Sequence, residues 1–456
     1  KGLGVGAGLE IVMPKASFTV GNSMYGMQKG VNWPFSAVYR TERTNEPQTF
    51  FLPSFGVSYN TGNLAFGVGV WAPFGLGSKW DLLRTADNNY GLVPGKMFDT
   101  YSRAYPNIEY ESNLQIIDIH PTVSFKISEK LSVGLGAGIL INDIAIRKPV
   151  YIQNPFLYNP ILAPQLDAIA AVSGLTNVLA GMRSSPFDHL LTQAELKGSG
   201  TGFGGNFGLM FKPTEKLSIG ATVQYYLDQQ LEGTFDNTIY FPDVQPYQTV
   251  VRTLTDSVFT KALQAGLIST DQYFVLSQYY SGQIVNEGIK DVKTALPLPA
   301  KVAVGISYSG FKNLLLSADA AYTQWSAWDK IIIENLSGAP VAELVQNWQN
   351  TLRLGIGMEY TAGSAKIRGG FYSEPPAAVD ETLTVAIPDI NRRNVVSFGL
   401  LFPLGPVSLA LNYEKLFIPR KTVDTWVYDR LTSAQNLAGV YKMNVNNLMI
   451  GLDYHF

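Results

Sequence analysis

"GISYSGFKNLLLSADAAYTQW", residues Gly305 to Trp325, decides how the rest of the chain is read. Every second residue is apolar, which is the strand period, and the polar partners are small. The pattern barely pauses at Phe311-Lys312-Asn313, so the two strands form a hairpin on a tight turn. Val302, Val304, Ile306 and Tyr308 share a face with Leu316, Ala318, Ala320 and Tyr322. Lys301, Ser307, Ser317 and Asp319 fall on the other.

The same unit recurs along the whole chain. Alternating arms flank short turns at Phe51–Asn60 and Asn63–Val70, Gln115–Lys126 and Leu131–Ile141, and Thr201–Lys212 and Leu217–Leu227. Further pairs are Lys301–Ser309 with Asn313–Thr323, Thr351–Thr361 with Ala365–Tyr372, and Val395–Phe402 with Pro406–Tyr413. With a first strand from about Leu3 and a last one over Asn444–Phe456, about fourteen strands are expected. The other connections are long, covering 19–48, 77–107, 149–198, 231–296, 331–348, 374–392 and 418–440. Short turns at one end and long loops at the other characterise an outer-membrane barrel. Apolar residues recur at helical spacing in the loops 149–198 and 231–296, which are therefore expected to be partly helical.

The two strand faces identify the solvent each one meets. Leu352, Leu354, Ile356, Met358 and Tyr360 oppose Arg353, Gly355, Gly357 and Glu359; Leu448, Ile450, Leu452 and Tyr454 oppose Asn447, Gly451 and Asp453. A soluble sandwich would turn a Lys-, Glu- and Thr-rich face outward. Here the polar face is Gly, Ser, Asn and isolated charges, which suits a lumen, and the apolar face ends in Tyr, which suits an interface girdle. Backbone groups cannot stay open in hydrocarbon, so the strands must close into a ring. The expectation is a single all-β domain over residues 1–456: a 14-stranded antiparallel transmembrane β-barrel with short periplasmic turns and long, partly helical extracellular loops.

Composition agrees with this. Charged residues make up 15% of the 456, below the share usual in soluble domains, beside 24 Tyr and 43 Gly. A formal charge of −2 and the lack of any basic run exclude nucleic acid as the partner. With no cysteine there are no disulfides, no thiolate chemistry and no Cys-ligated metal. No apolar run is long enough for a transmembrane helix, and Lys1 leads directly into strand-like sequence, as expected of a mature or trimmed exported chain. Three histidines, His120, His189 and His455, offer no Ser–His pair for an outer-leaflet lipase, and Gly200-Thr201-Gly202-Phe203-Gly204-Gly205 has no βαβ context for a dinucleotide. Neither enzyme activity nor a cofactor is expected.

Two stretches carry a family resemblance. "LPLPAKVAVGISYSGFKNLLLSADAAYTQWSAW", Leu296 to Trp328, has a Leu-Pro before its first strand and Tyr-Thr-x-Trp-Ser-x-Trp after its second. Leu352 to Phe402 adds a Ser-x-Pro-Pro region and Ile387-Pro388-Asp389 with Arg392 nearby. Together they resemble the FadL/TodX family of outer-membrane transporters for hydrophobic compounds. The resemblance implies passive passage of long-chain fatty acids or aromatic hydrocarbons across a Gram-negative outer membrane, with lipids as neighbours and a monomeric state. It also implies an N-terminal hatch, which is not expected in this numbered chain because Leu3–Phe18 already reads as strand.

The resemblance also implies capture in a hydrophobic groove between the third and fourth extracellular loops, which here offer Tyr151, Phe156, Leu157, Tyr158, Ile161, Leu162, Leu166 and Ile169, and Phe259, Leu263, Leu267, Phe274, Tyr279 and Tyr280. Clustered apolar residues on exposed loops mark interaction sites, although packing of the helices on one another explains them too. Arg147, Lys148 and Lys330 are candidate contacts for a carboxylate headgroup. Ala72, Pro73, Phe74 and Gly75 interrupt the third strand, so a gap or bulge is expected there; the family resemblance implies that it opens the wall sideways, and ordinary strand termination is the other reading. The inner charges Asp118, His120, Lys301, Asp319, Arg353, Glu359, Arg368 and Glu414 are expected to pair among themselves. A protein-binding secretion or assembly scaffold of the same fold, or a general porin, is the alternative function.

Overall fold

The computed structural model describes residues 2–21, 42–82, 108–153, 163–183, 189–241, 259–278, 283–427 and 435–456, with 157, 160 and 252 besides. Fourteen strands form one antiparallel barrel. They are β1 Gly2–Val20, β2 Phe50–Asn60, β3 Leu64–Trp80, β4 Tyr110–Lys126, β5 Leu131–Gln153, β6 His189–Thr214 and β7 Leu217–Tyr226. The second half comprises β8 Lys301–Phe311, β9 Leu314–Thr323, β10 Thr351–Ala362, β11 Ala365–Glu374, β12 Arg393–Leu404, β13 Val407–Val423 and β14 Gly439–His455. Each pairs with the next, and β14 returns to β1 from Gly4 opposite His455 up to Val20 opposite Gly439. The ring is closed, as hydrocarbon requires.

The short turns lie at the end that carries both termini, and left-handed residues tighten them: Asn313 (φ 58°) between β8 and β9, Gly363 (φ 63°) between β10 and β11, Gly405 (φ 69°) between β12 and β13. In the lower barrel the faces are as the alternation predicts. Val302, Val304, Ile306, Tyr308, Leu316 and Tyr322 are exposed outward, and so is the whole row Leu352, Leu354, Ile356, Met358 and Tyr360.

Higher up, both faces change character. On β4 the outward row Phe125, Val123, Ile119 gives way to Gln115, Asn113 and Glu111, while the inward row changes from Ser124, Thr122 and His120 to buried Ile116 and Leu114. On β14 the outward Leu452, Ile450 and Leu448 are followed by Asn446, Asn444 and Lys442; the inward Asp453, Gly451 and Asn447 are followed by Val445, Met443 and Tyr441. Below the change the strands follow the rule of a membrane barrel; above it they follow the rule of a water-soluble one. The outer boundary of the lipid band therefore lies near Ile117 on β4 and Leu448 on β14.

The apolar inner rows of the upper barrel form the main core of the molecule, with Phe18, Trp80, Ile116, Leu140, Leu296 and Tyr441 all buried. On one side the wall continues outward. The outer half of β6 pairs with a rim strand, Gln229–Tyr240, which is followed by Lys290–Leu296, Lys330–Asn335 and Pro340–Val345. Strand structure thus runs well into the stretches 149–198, 231–296, 331–348 and 418–440. Helices α1 Ala163–Val172 and α2 Thr176–Met182 lie between β5 and β6; α3 Thr260–Gln264 and α4 Thr270–Gln278 lie between β7 and β8.

Candidate functional site

Strand β3 is irregular where the sequence suggests it. From Trp71 to Phe74 it advances three residues while β4 advances two, from Asp118 to Ile116. One extra residue makes a β-bulge and reverses which side chains face inward. Trp71 faces the lumen with its ring 5.3 Å from that of His120; beyond the bulge Phe74 does so, 5.6 Å from Tyr226 and 6.2 Å from Trp325.

The bulge coincides with a gap in the wall. β2 pairs with β3 only from Asn60–Ala65 to Phe55–Val70, and above this no ladder joins them among the described residues. The contact resumes where Glu46 N–H donates to the Lys79 carbonyl at 2.9 Å. The gap is therefore a window, framed by residues 47–54 and 71–78. Phe51 and Pro53 at its edge pair with Ile11 and Leu9, which pair in turn with Leu448 and Ile450, all on the outward face. The lower, β2 edge of the window thus lies at the level of the upper hydrocarbon, while its β3 edge, where Gly75 and Gly77 pair with Gln115 and Asn113, lies above the boundary.

Behind it lies a chamber of about 360 Å³. Pro73, Phe74, Gly75 and Leu114 form the side next to the window, and Leu416, Ile418, Met443 and Val445 the side toward β13 and β14. Three tryptophans line it as well: Trp325, Trp328 and Trp348 pack with ring centroids 4.8–5.9 Å apart. The loop from 375 to 392 folds inward and completes the lining with Ile387 and Ile390. Its carbonyls are held from the wall: Ser78 Oγ donates to Val385, Ser112 Oγ to Ala386 and the Tyr441 hydroxyl to Leu383. Asp389 accepts from the Ala377 N–H at 2.6 Å and pairs with Arg393 at 3.1 Å. Arg393, not the Arg392 singled out in the sequence, is thus the partner of this motif; Arg392 reaches Ser373.

Beneath the chamber the lumen is polar. His120 faces Asp118 through Nδ1 (3.1 Å) and Asn206 through Nε2 (2.9 Å). The cluster fits because β5 carries Gly136 and Gly138, where any side chain would overlap it. Arg353 pairs with Asp319 at 3.0 Å, and Glu359 with both Lys366 and Arg368.

A second cavity, of about 280 Å³, lies in the rim above the membrane. Apolar Ile146, Val150, Leu196, Phe235, Ile333 and Leu344 line it together with the charged Lys148, Glu287, Lys290 and Glu343. Lys148 has no ion-pair partner among the described residues. Burial disfavours its charged form and lowers its pKa to about 8. The other two candidate cations are engaged: Arg147 with Glu195 (3.0 Å) and Glu111, and Lys330 with Glu343 (3.9 Å).

Of the apolar loop residues, Leu157, Leu166 and Phe259 are buried, Ile169 and Leu263 half-buried, and Leu267 and Phe274 exposed. Tyr151 lies at the top of β5 opposite Leu191. Phe156, Tyr158, Ile161, Leu162, Tyr279 and Tyr280 lie outside the described residues. Sequence reasoning missed the chamber lining, above all Trp348 and the inward loop. The signal was present: Leu383, Val385 and Ile387 alternate in a stretch with no neighbouring strand to explain them.

The family model for the outer membrane protein transport protein (OMPP1/FadL/TodX) matches residues 2–456. The crystal structure of a Pseudomonas aeruginosa FadL homologue is similar, with a TM-score of 0.68 at 17% identity, covering 100% of this chain and 91% of that one. The P. putida toluene transporter TodX has a TM-score of 0.64 at 15% identity, with 100% and 90% covered. The Ralstonia pickettii toluene transporter TbuX has a TM-score of 0.58 at 17% identity, again with 100% and 90% covered. In sequence, a 47 kDa outer membrane protein of Pasteurella multocida (strain Pm70) is 24% identical over 257 residues, which is 56% of this chain and 52% of that protein. The match thus spans about half the length of that relative.

Proposed function

Since the chain belongs to the OMPP1/FadL/TodX family of outer membrane transport proteins, we propose that it passes hydrophobic molecules sideways into the membrane through the window between β2 and β3. The observation that carries this reading is the window itself. Unpaired backbone at hydrocarbon depth is unfavourable and persists only where it serves a cavity, and this stretch opens beside an apolar chamber. A cargo leaving straight down would cross the polar layer around His120 and re-expose its apolar surface to water, losing about 25 cal/mol per Å². Exit into the bilayer avoids that loss.

Upstream, the exposed Leu267 and Phe274 supply the first apolar contact, and the rim cavity follows. Lys148 favours cargo with a carboxylate: a long-chain fatty acid meets its ammonium there, whereas a neutral aromatic hydrocarbon leaves it unpaired. Transport is passive and the barrel acts as a monomer among outer-membrane lipids.

Tracer uptake in a strain lacking its own transporter tests the reading. A labelled long-chain fatty acid enters faster with this protein than without it, while a labelled sugar does not. Entry of the sugar would favour the porin reading, and no acceleration of either would favour the scaffold.

A further inference from the structure

The window is not bare. At its upper end, β2 is anchored to β1 but not to β3, and the ring of Phe50 crosses to the far frame and lies against Gly77. A Cβ at Gly77 would overlap this ring, so glycine is required for the ring to sit there. Its neighbour Phe51 points outward and is 62% exposed to lipid, whereas Phe50 is only half-buried within the wall. β3 places Gly77 on its outward row, between Gly75 and Lys79, because the bulge has reversed the strand's parity. A single side chain thus spans a stretch of wall where no ladder joins β2 to β3 among the described residues.

We infer that Phe50 is the specificity-determining residue of the window: its ring on Gly77 sets the girth of the cargo that leaves. This rests on the sideways route proposed above. Three features support it. A ring hinged on one strand is free to move without breaking a ladder, because β2 has none toward β3 there. The seat is a glycine, which leaves room for the tip of the ring, Cζ and Cε1, to reach the far frame. The chamber side of the frame, Pro73 to Gly75, has its backbone direction fixed by the bulge, so the adjustable edge is the Phe50 edge. Slim chains pass beneath the ring, and bulky ones have to displace it.

The test uses the full barrel in vesicles containing brominated lipid, with two fluorescent acids, a slim conjugated polyene acid and a pyrene-tipped acid. The readout is the ratio of their transfer rates. Phe50→Ala raises the pyrene-to-polyene ratio roughly tenfold, equivalent to about 1.4 kcal/mol of barrier. Phe50→Leu gives a smaller rise, and Phe50→Trp lowers the ratio. Gly77→Val, which evicts the ring, mimics Phe50→Ala. Heat-modifiability on a gel selects the folded variants, and Phe50→Leu preserves the test if the alanine variant fails to fold. An unchanged ratio across the folded variants overturns the inference. Quenching by brominated lipid separates that failure from failure of the route. If quenching precedes internal delivery while the ratio stays flat, the sideways route stands and the role of Phe50 falls. If delivery precedes quenching, the route falls and the inference falls with it.

Discussion

Strand β13 follows opposite rules below and above Tyr413. Below, Ser408, Ala410 and Asn412 face the lumen while Leu409, Leu411 and Tyr413 face lipid; above, Leu416 and Ile418 face inward and Lys415 reaches Asn444 and Asn446 on the outer surface. β1, β4, β5, β6 and β14 change in the same way. The lower barrel meets the demands of the bilayer, and the upper barrel holds an apolar interior against water. The place where one gives way to the other is where β3 bulges and its ladder to β2 ends. The chamber and the window are thus two consequences of one change of rule along the strands.

The largest effect that tests this contrast belongs to the upper core. Phe18 is fully buried, its ring 4.6 Å from that of Tyr441. Phe18→Ala should destabilise by about 3–5 kcal/mol, read from urea unfolding in lipid vesicles. Next come charges on the two outward rows. Ile356→Arg or Leu411→Arg, within the lipid band, should cost about 2–4 kcal/mol, while Ala410→Arg in the lumen and Asn444→Arg above the band should cost far less. Equal penalties at Leu411 and Asn444 would break the contrast.

The rim cavity allows a test through pH. Burial depresses the Lys148 pKa to about 8, so the side chain is charged below that pH and neutral above it. Fatty-acid binding should therefore be steady below about pH 8 and weaken as pH rises through it. Lys148→Met should reduce acid binding by about 1.5–3 kcal/mol and abolish that pH dependence, measured by titration with a fluorescent acid. Smallest is the tether of the inward loop: Ser78→Ala with Ser112→Ala should cost about 0.5–1.5 kcal/mol per hydrogen bond and loosen the 375–392 loop, read by amide exchange at Val385 and Ala386.

The same change of rule explains how far the sequence could be read. Alternation predicts strands at Gln115–Lys126, Leu131–Ile141 and Thr201–Lys212, and the structure extends them to Tyr110–Lys126, Leu131–Gln153 and His189–Thr214. The reading stops where the pattern of apolar outward and small polar inward stops, because beyond it Leu114 and Ile116 face inward and Asn113 and Gln115 outward. The third-strand irregularity was legible because proline and glycine announce it locally. A gap was expected from β3 alone; its other edge was not read, although Phe50-Phe51-Leu52-Pro53 breaks the alternation of β2 and Pro53 has no N–H to give a ladder. Nor was the chamber, which is assembled from Trp348, the inward loop and β14, segments spread along the chain from Trp348 to Val445.

The central claim is that cargo leaves through the window, and closing it tests this most directly. The chain has no cysteine, so Pro53→Cys with Gly75→Cys places one thiol on each side of the frame, to be joined by a short reducible cross-linker. The cross-linked barrel should bind fatty acid at its outer face but fail to deliver it, and reduction should restore delivery to the rate of the uncross-linked protein. Delivery at the same rate with the window bridged would contradict the account and send the cargo down the lumen instead.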